Sequence, residues 1–529
     1  MQYSDLTYLL LFLPLVIIIY SISPKKYRYI VLLLASYIFF YSISSYLIIY
    51  SLISTILIYI ITKILSKLKD KEKLLTESLE KEEKKLIKKK YLKKRKHTLI
   101  IGIISLLITL ILTKYLNFIT ISFNDLMKIL NVNFKIHFSN LIAPIGISFY
   151  TLEGISYLVD VYNGKCEKEN NILKLSLYLT FFPKLMEGPI TRYNEIKDSL
   201  YAGNKINYKN LTFGLQRITY GLIKKFVVAN RIHNVIDPIF ANYLKYDGGV
   251  LFIGIILYVI ELYMDFSGIM DIVIGTSEIF GISLPENFKR PFFSRSISDF
   301  WSRWHVTLGT FFKDYIFYPV SLSKFSRNLT SKMRKKLGNH FGPLISGTVA
   351  LLLVWLSNGL WHGANYNFIA FGLYHFTFIL LGNIFSPLLN SFYKKSNINK
   401  DNFIIKVLSI TKTTIIVIFG EIFFRATSLK SALYIIKEIF TNFNLKFLYN
   451  HTFLKLGLDS KDILIIILTI IIVFIIGILN EKNISVREEI SKKNIFVRWT
   501  IYYLLIFYLL IFGAYLGPYT PVDPMYASF

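Results

Sequence analysis

The side chains best placed to do chemistry in this chain of 529 residues are histidines and charged groups that interrupt apolar sequence. His362 closes the run Trp355-Leu356-Ser357-Asn358-Gly359-Leu360-Trp361-His362, and Gly363-Ala364 follows it. A neutral imidazole near pH 7 suits general-base work on a hydroxyl, and the neighbouring glycines leave a substrate room to approach. A core histidine satisfied at a helix–helix contact would leave the same window, so the window alone does not decide. A second stretch, from Pro285-Glu286-Asn287-Phe288 to Tyr318-Pro319, holds Arg290, Arg295, Asp299, Trp301, Arg303, Trp304, His305, Lys313 and Asp314 among many aromatic residues. Its apolar runs are too short to cross a bilayer, which predicts a re-entrant or interfacial segment; irregular backbone survives at membrane depth only where protein or a watery cavity surrounds it. An aromatic belt with snorkelling arginines is the alternative. In a third stretch, Phe181-Phe182-Pro183-Lys184-Leu185-Met186-Glu187-Gly188-Pro189, two prolines and a glycine break an apolar helix beside Lys184 and Glu187. Broken helices of this kind shape cavities, although a plain helix end would look similar.

The elements that must position these groups are membrane helices. Hydrophobic residues make up 53% of the chain, in long runs separated by charged punctuation rather than in a water-soluble alternation. Each crossing takes roughly 20 apolar residues. Such runs fall near 6–22, 29–62, 98–120, 141–161, 172–186, 211–230, 249–282, 343–361, 366–386, 404–424, 462–480 and 497–516. The run 29–62 is too long for one crossing and splits near Tyr41-Ser42-Ile43-Ser44-Ser45. The loop with Lys25, Lys26 and Arg28 and the loop Lys63–Lys96 are both basic and belong in the cytoplasm, so an even number of crossings separates them and the N-terminus lies outside. Met1–Tyr20 lacks a basic n-region and a small-residue cleavage site, and so reads as a retained helix kinked at Pro14. The Lys/Glu-rich stretch 63–97 predicts a solvated cytoplasmic helix with i,i+4 ion pairs, and Lys324–Lys336 is likewise cytoplasmic or interfacial. With the lysines in loops, the net charge of +28 reads as topology and leaflet charge, not as nucleic-acid binding. The single cysteine, Cys166, excludes an intrachain disulfide, a Cys-rich zinc site and a thiol relay. With no internal repeat or linker, the expectation is one all-α polytopic membrane domain of about 11–13 spans. Its core would lie over 141–380, with further spans over 400–529.

These stretches belong to an ordered set of blocks. Gly146-Ile147-Ser148-Phe149-Tyr150-Thr151 precedes Ser156-Tyr157-Leu158-Val159-Asp160-Val161-Tyr162, and the Phe-Pro block at 182–189 follows. Then come Asp265-Phe266-Ser267-Gly268, Pro285-Glu286-Asn287-Phe288, Phe300-Trp301 with Arg303-Trp304-His305, and Gly359-Leu360-Trp361-His362-Gly363-Ala364; Phe423-Phe424-Arg425-Ala426 extends the match. In order, spacing and identity the set resembles the membrane-bound O-acyltransferase family, in its bacterial alginate O-acetyltransferase-like branch. The resemblance implies a multi-helix body with re-entrant segments around a funnel or tunnel. It makes His362 the membrane-embedded catalytic histidine and His305 the second. Trp301, Arg303, Trp304, Trp361, Asn358, Asp265, Ser267 and Asn287 become candidates for binding substrate or donor. It further implies acetyl-CoA as donor with no bound cofactor or metal, a cell-envelope polysaccharide as acceptor, an extracytoplasmic partner with a serine nucleophile, and a place in the cytoplasmic membrane. Lys184 and Glu187 depart from the usual Phe-Pro block, and the tail Pro518–Pro524 departs from the expected aromatic ending. Two other readings stay open: D-alanyl transfer to teichoic acid from a carrier protein, and a transporter or flippase in which the same His and Arg groups line a path.

Overall fold

The computed structural model describes residues 1–137 and 142–515; the tail Pro518–Pro524 lies outside them. Among the described residues the fold is all-α, with an isolated antiparallel bridge, Phe288 to Trp304, as its sheet-like pairing. Eight helical stretches are long and apolar enough to cross a membrane. The split expected in the second apolar run is present: one helix ends at Ser44, Ser45 takes φ +46°, and the next helix begins at Ile48. Pro14 sits in the first turn of the Leu13–Ile22 helix, directly after a widened π-turn at Thr7–Phe12. The run near 172–186 differs from expectation. It forms a nine-residue helix, Ile172–Thr180, capped by the Asn171 side chain and ended before Pro183. At 1.5 Å per residue it is too short to cross.

The chain divides into two compact units. The first comprises Met1–Gly214 with Thr276–Pro285. Its helices Ile48–Thr76 and Lys81–Leu110 form a hairpin around a short turn, so the Lys/Glu-rich stretch rides on helical extensions of two spans. Arg95 and Glu72 pair across this hairpin at 2.9 Å, rather than along one helix. The helix Ile147–Asn163 is buried along nearly its whole length and carries Glu153 inside. There the Phe-Pro block meets it: Lys184 forms an ion pair with Glu153, whose other oxygen accepts from Thr191 N at 3.0 Å and Thr191 Oγ1 at 2.9 Å. Tyr3 Oη donates to Phe182 O at 2.9 Å and accepts from Met186 N at 3.1 Å, and Phe182 N donates to Ser36 Oγ, so polar side chains satisfy the backbone freed by the broken helix. Gly146, at φ +82°, completes this packing, since a Cβ there would lie 2.2 Å from the Leu185 carbonyl oxygen.

The second unit comprises Leu215–Gly275 and, among the described residues, those from Glu286 to Tyr515. The long helix Gly248–Ile279 supplies its buried axis. A π-helical turn at Ile223–Ala229 brings two consecutive lysines onto that axis, Lys224 to Asp271 and Lys225 to Asp265, both at 2.5 Å. Arg217 joins Asp271 to Glu286 at 2.9 and 2.6 Å. Helices Lys324–His362 and Tyr366–Lys395 pack backbone to backbone through reciprocal glycines: a Cβ on Gly359 would fall 2.3 Å from the Phe368 carbonyl oxygen, and one on Gly372 would fall 2.3 Å from that of Trp355.

Candidate active site

The charged stretch after Pro285 forms short helices, Ile297–Arg303 and Val306–Phe312, neither long enough to cross a bilayer. Its entry and exit are zipped together: Lys289 N donates to Arg303 O at 2.8 Å, and Val306 N donates to Asn287 O at 3.0 Å. The Ser296 hydroxyl caps the first short helix by accepting from Asp299 N at 3.1 Å. His305 sits between the helices with φ +47°, a left-handed conformation rare for a side chain of its size and held here by its neighbours.

Asn287 organises this turn. Its Oδ1 accepts from Thr307 N at 3.1 Å, Thr307 Oγ1 at 3.0 Å and His305 Nδ1 at 3.1 Å. A backbone N–H can only donate, so the atom facing it is the amide oxygen, and His305 must carry its proton on Nδ1. Nε2 then holds the lone pair. Burial pushes the His305 pKa down from 6.5 to about 3, which keeps the ring neutral.

The two candidate histidines flank one indole. The Trp361 ring lies 5.5 Å from that of His305 and 5.0 Å from that of His362. Phe266 packs edge-on to His305 at 5.0 Å; Phe424 and Phe371 close around His362 at 5.0 and 5.9 Å. Both histidines are buried. Asn358, one helical turn before His362, is buried with no hydrogen bond to its Oδ1 among the described residues. Trp301 reaches the same aromatic wall, 5.0 Å from Trp355 and 5.9 Å from Phe371.

Other candidates stand elsewhere. Asp265 is tied to Lys225, and Ser267 Oγ accepts from Lys224 at 2.9 Å, so both belong to the buried ion-pair network. Trp304 stacks on Phe300 at 5.6 Å within a cluster that includes Phe288 and Tyr263. Arg303 pairs with Asp299 at 2.9 Å and Glu481 at 3.1 Å at the partly exposed end of the segment. A cavity of about 440 Å³ lined by His340, Pro343 and Leu344 contains neither catalytic candidate.

His375 was not anticipated. It is fully buried against Trp301 at 4.8 Å and Phe371 at 4.7 Å, and neither ring nitrogen has a hydrogen-bond partner among the described residues. Its signal was available in the sequence, because Gly372-Leu373-Tyr374-His375 repeats the Gly-x-x-His spacing of Gly359 to His362.

Comparison with known proteins agrees with this architecture. The family model described as MBOAT, membrane-bound O-acyltransferase family, matches residues 5–333, a span that contains Asn287 and His305 and stops short of His362. A probable alginate O-acetylase of Pseudomonas syringae pv. tomato is 29% identical over 82% of this chain and 74% of its own length. A peptidoglycan O-acetyltransferase of Helicobacter pylori is 31% identical over 64% of each chain. A teichoic acid D-alanyltransferase of Bacillus subtilis is 32% identical over 46% of this chain and 60% of its own length. Ordered motifs, an all-α membrane body and a family match over more than half its length together establish that the chain is an acyltransferase belonging to the membrane-bound O-acyltransferase family.

Proposed function

We propose that this enzyme moves an acetyl group from acetyl-CoA on the cytoplasmic side to a hydroxyl, for O-acetylation of an extracytoplasmic cell-envelope polysaccharide. The observation that carries the reading is the placement of His305 and His362 on either side of Trp361 in a buried aromatic enclosure. His362 takes the hydroxyl proton as that oxygen attacks the thioester carbonyl. The C–S bond breaks, the proton passes to the leaving thiolate, and an ester and a free thiol result. General-base assistance of this kind contributes roughly 10²–10⁴-fold in rate. His305, held in its turn by the Asn287 amide oxygen, lies across Trp361 from His362 and orients the donor toward that hydroxyl. The acetyl group then passes to a second, extracytoplasmic protein with a serine nucleophile, and the chain works in the cytoplasmic membrane.

D-alanyl transfer from a carrier protein is the second reading, supported by the Bacillus subtilis relative. The alginate O-acetylase alignment covers 82% of this chain against 46% for that relative, which favours acetyl transfer. Mass spectrometry of envelope polymers from cells with and without the protein separates the two. Loss of an acetyl ester supports the first reading; loss of an alanyl ester, with acetyl esters intact, overturns it.

A further inference from the structure

The zipped segment has two ends. Asn287 and His305 occupy the buried one, and Arg290 and Arg303 occupy the other. There both guanidiniums converge on one carboxylate, that of Glu481 at the end of the helix Ser460–Glu481. Arg290 Nε reaches Oε2 at 2.5 Å, and Arg303 Nη1 reaches Oε1 at 3.1 Å and Oε2 at 3.2 Å. Arg290 adopts φ +52° at the point where it turns toward this carboxylate. The side chains are 33%, 23% and 35% exposed for Arg290, Arg303 and Glu481, so an outside ligand can reach them. Lys289 and Lys482 flank the clamp, exposed and without an ion-pair partner among the described residues.

Two short connections meet this end. One follows Glu481 and carries Lys482, Arg487, Lys492 and Lys493. The other carries Lys394, Lys395 and Lys400 and reaches the segment through Asp401, 3.0 Å from Arg295. Short connections rich in Lys and Arg face the cytoplasm. Paired guanidiniums that grip a carboxylate by both oxygens offer the fork geometry that also recognises a phosphate ester.

We propose that Arg290 and Arg303 form a phosphate-ester site at the cytoplasmic end of the acyl-transfer segment, filled by the Glu481 carboxylate at rest and taken over by a phosphate of the ligand. The backbone pairing from Arg303 and Lys289 to His305 and Asn287 joins this site to the catalytic turn without an intervening loop. This rests on the acyl-transfer reading for its role, but phosphate binding is measurable without turnover. A nucleotide-borne donor and an anionic lipid headgroup are the two sources of such a phosphate.

The test uses the full chain in nanodiscs of zwitterionic lipid, with 3′,5′-ADP as probe and binding read by calorimetry. Removing the competing charge in Glu481→Gln should tighten 3′,5′-ADP binding about tenfold or more, the effect of one charge-assisted contact. Adding Arg303→Gln or Arg290→Gln to that variant should abolish the gain, and Arg303→Lys should restore only part of it. In turnover assays the same variants should shift KM for acetyl-CoA with little change in kcat. If Glu481→Gln instead increases retention of phosphatidylglycerol while 3′,5′-ADP binding stays unchanged, the site stands and its ligand is lipid. Unchanged affinity for both probes, with lowered thermal stability, would make Glu481 a structural tie and overturn the proposal.

Discussion

At the scale of single residues the account rests on three polar groups whose settings differ. His362 is enclosed by Trp361, Phe371 and Phe424, and His362→Ala should reduce acyl transfer by about 10²–10⁴-fold, or to background, with membrane expression unchanged. Transfer activity normalised to protein in isolated membranes reads this. Asn287 is a shared acceptor for three donors, so Asn287→Ala should cost about 1–3 kcal/mol for each buried donor it releases, measured as a lowered Tm in detergent. His305 adds a pH signature. The unfolded chain takes up its proton near 6.5 while the folded chain waits until about 3, so the unfolded state binds more protons between those values. Stability is therefore fully present above pH 6.5 and is lost as the pH falls toward 3. His305→Gln should flatten that part of the Tm-against-pH curve. Cys166 is the chemical control: burial, reinforced by Asp160, pushes its thiol up to about 12, so alkylation at pH 8 should be negligible until the protein unfolds. The block pattern brought His362, His305 and Asn287 into view, whereas the partner of Lys184 was not legible. Glu153 lies 31 positions upstream on another element, and only the folded chain brings the two together.

At the scale of elements, the reciprocal glycines decide how closely the His362 helix can approach its neighbour. Gly359→Ala and Gly372→Ala each drive a methyl group into a backbone carbonyl, a collision that flexible side chains cannot relieve. Each should cost about 1–3 kcal/mol and reduce activity, as overpacking does. Gly347, on the same helix, has open space where its Cβ would stand, so Gly347→Ala should be neutral or stabilising by up to about 1 kcal/mol. Thermal unfolding of the three variants side by side separates local packing from general helix propensity. The break at Ser44-Ser45 was readable because charge parity demanded it, and the charged segment after Pro285 was readable because its apolar runs were too short. The stretch near 172–186 misled because it is apolar enough for a span. Its nine-residue helix is set by the Asn171 cap and by Pro183, local signals that hydropathy averages away.

At the scale of the whole molecule, the charge of +28 resides largely in polar connections and helical extensions, and the positive-inside rule fixes which side each faces. A cysteine placed at Lys88 in a Cys166→Ser background should react with a membrane-impermeant maleimide in inverted vesicles and not in intact cells; labelling of intact cells would reverse the assigned topology. The family was legible because seven separated blocks keep their order, while the acceptor polymer leaves no comparable trace in the sequence. The central claim is acetyl transfer at His362. Its most direct measurement follows radiolabel from acetyl-CoA into alkali-labile ester in membranes holding wild type, His362→Ala or Gly347→Ala at equal protein. The account predicts ester with wild type and Gly347→Ala and none above background with His362→Ala. Equal labelling by His362→Ala would contradict it.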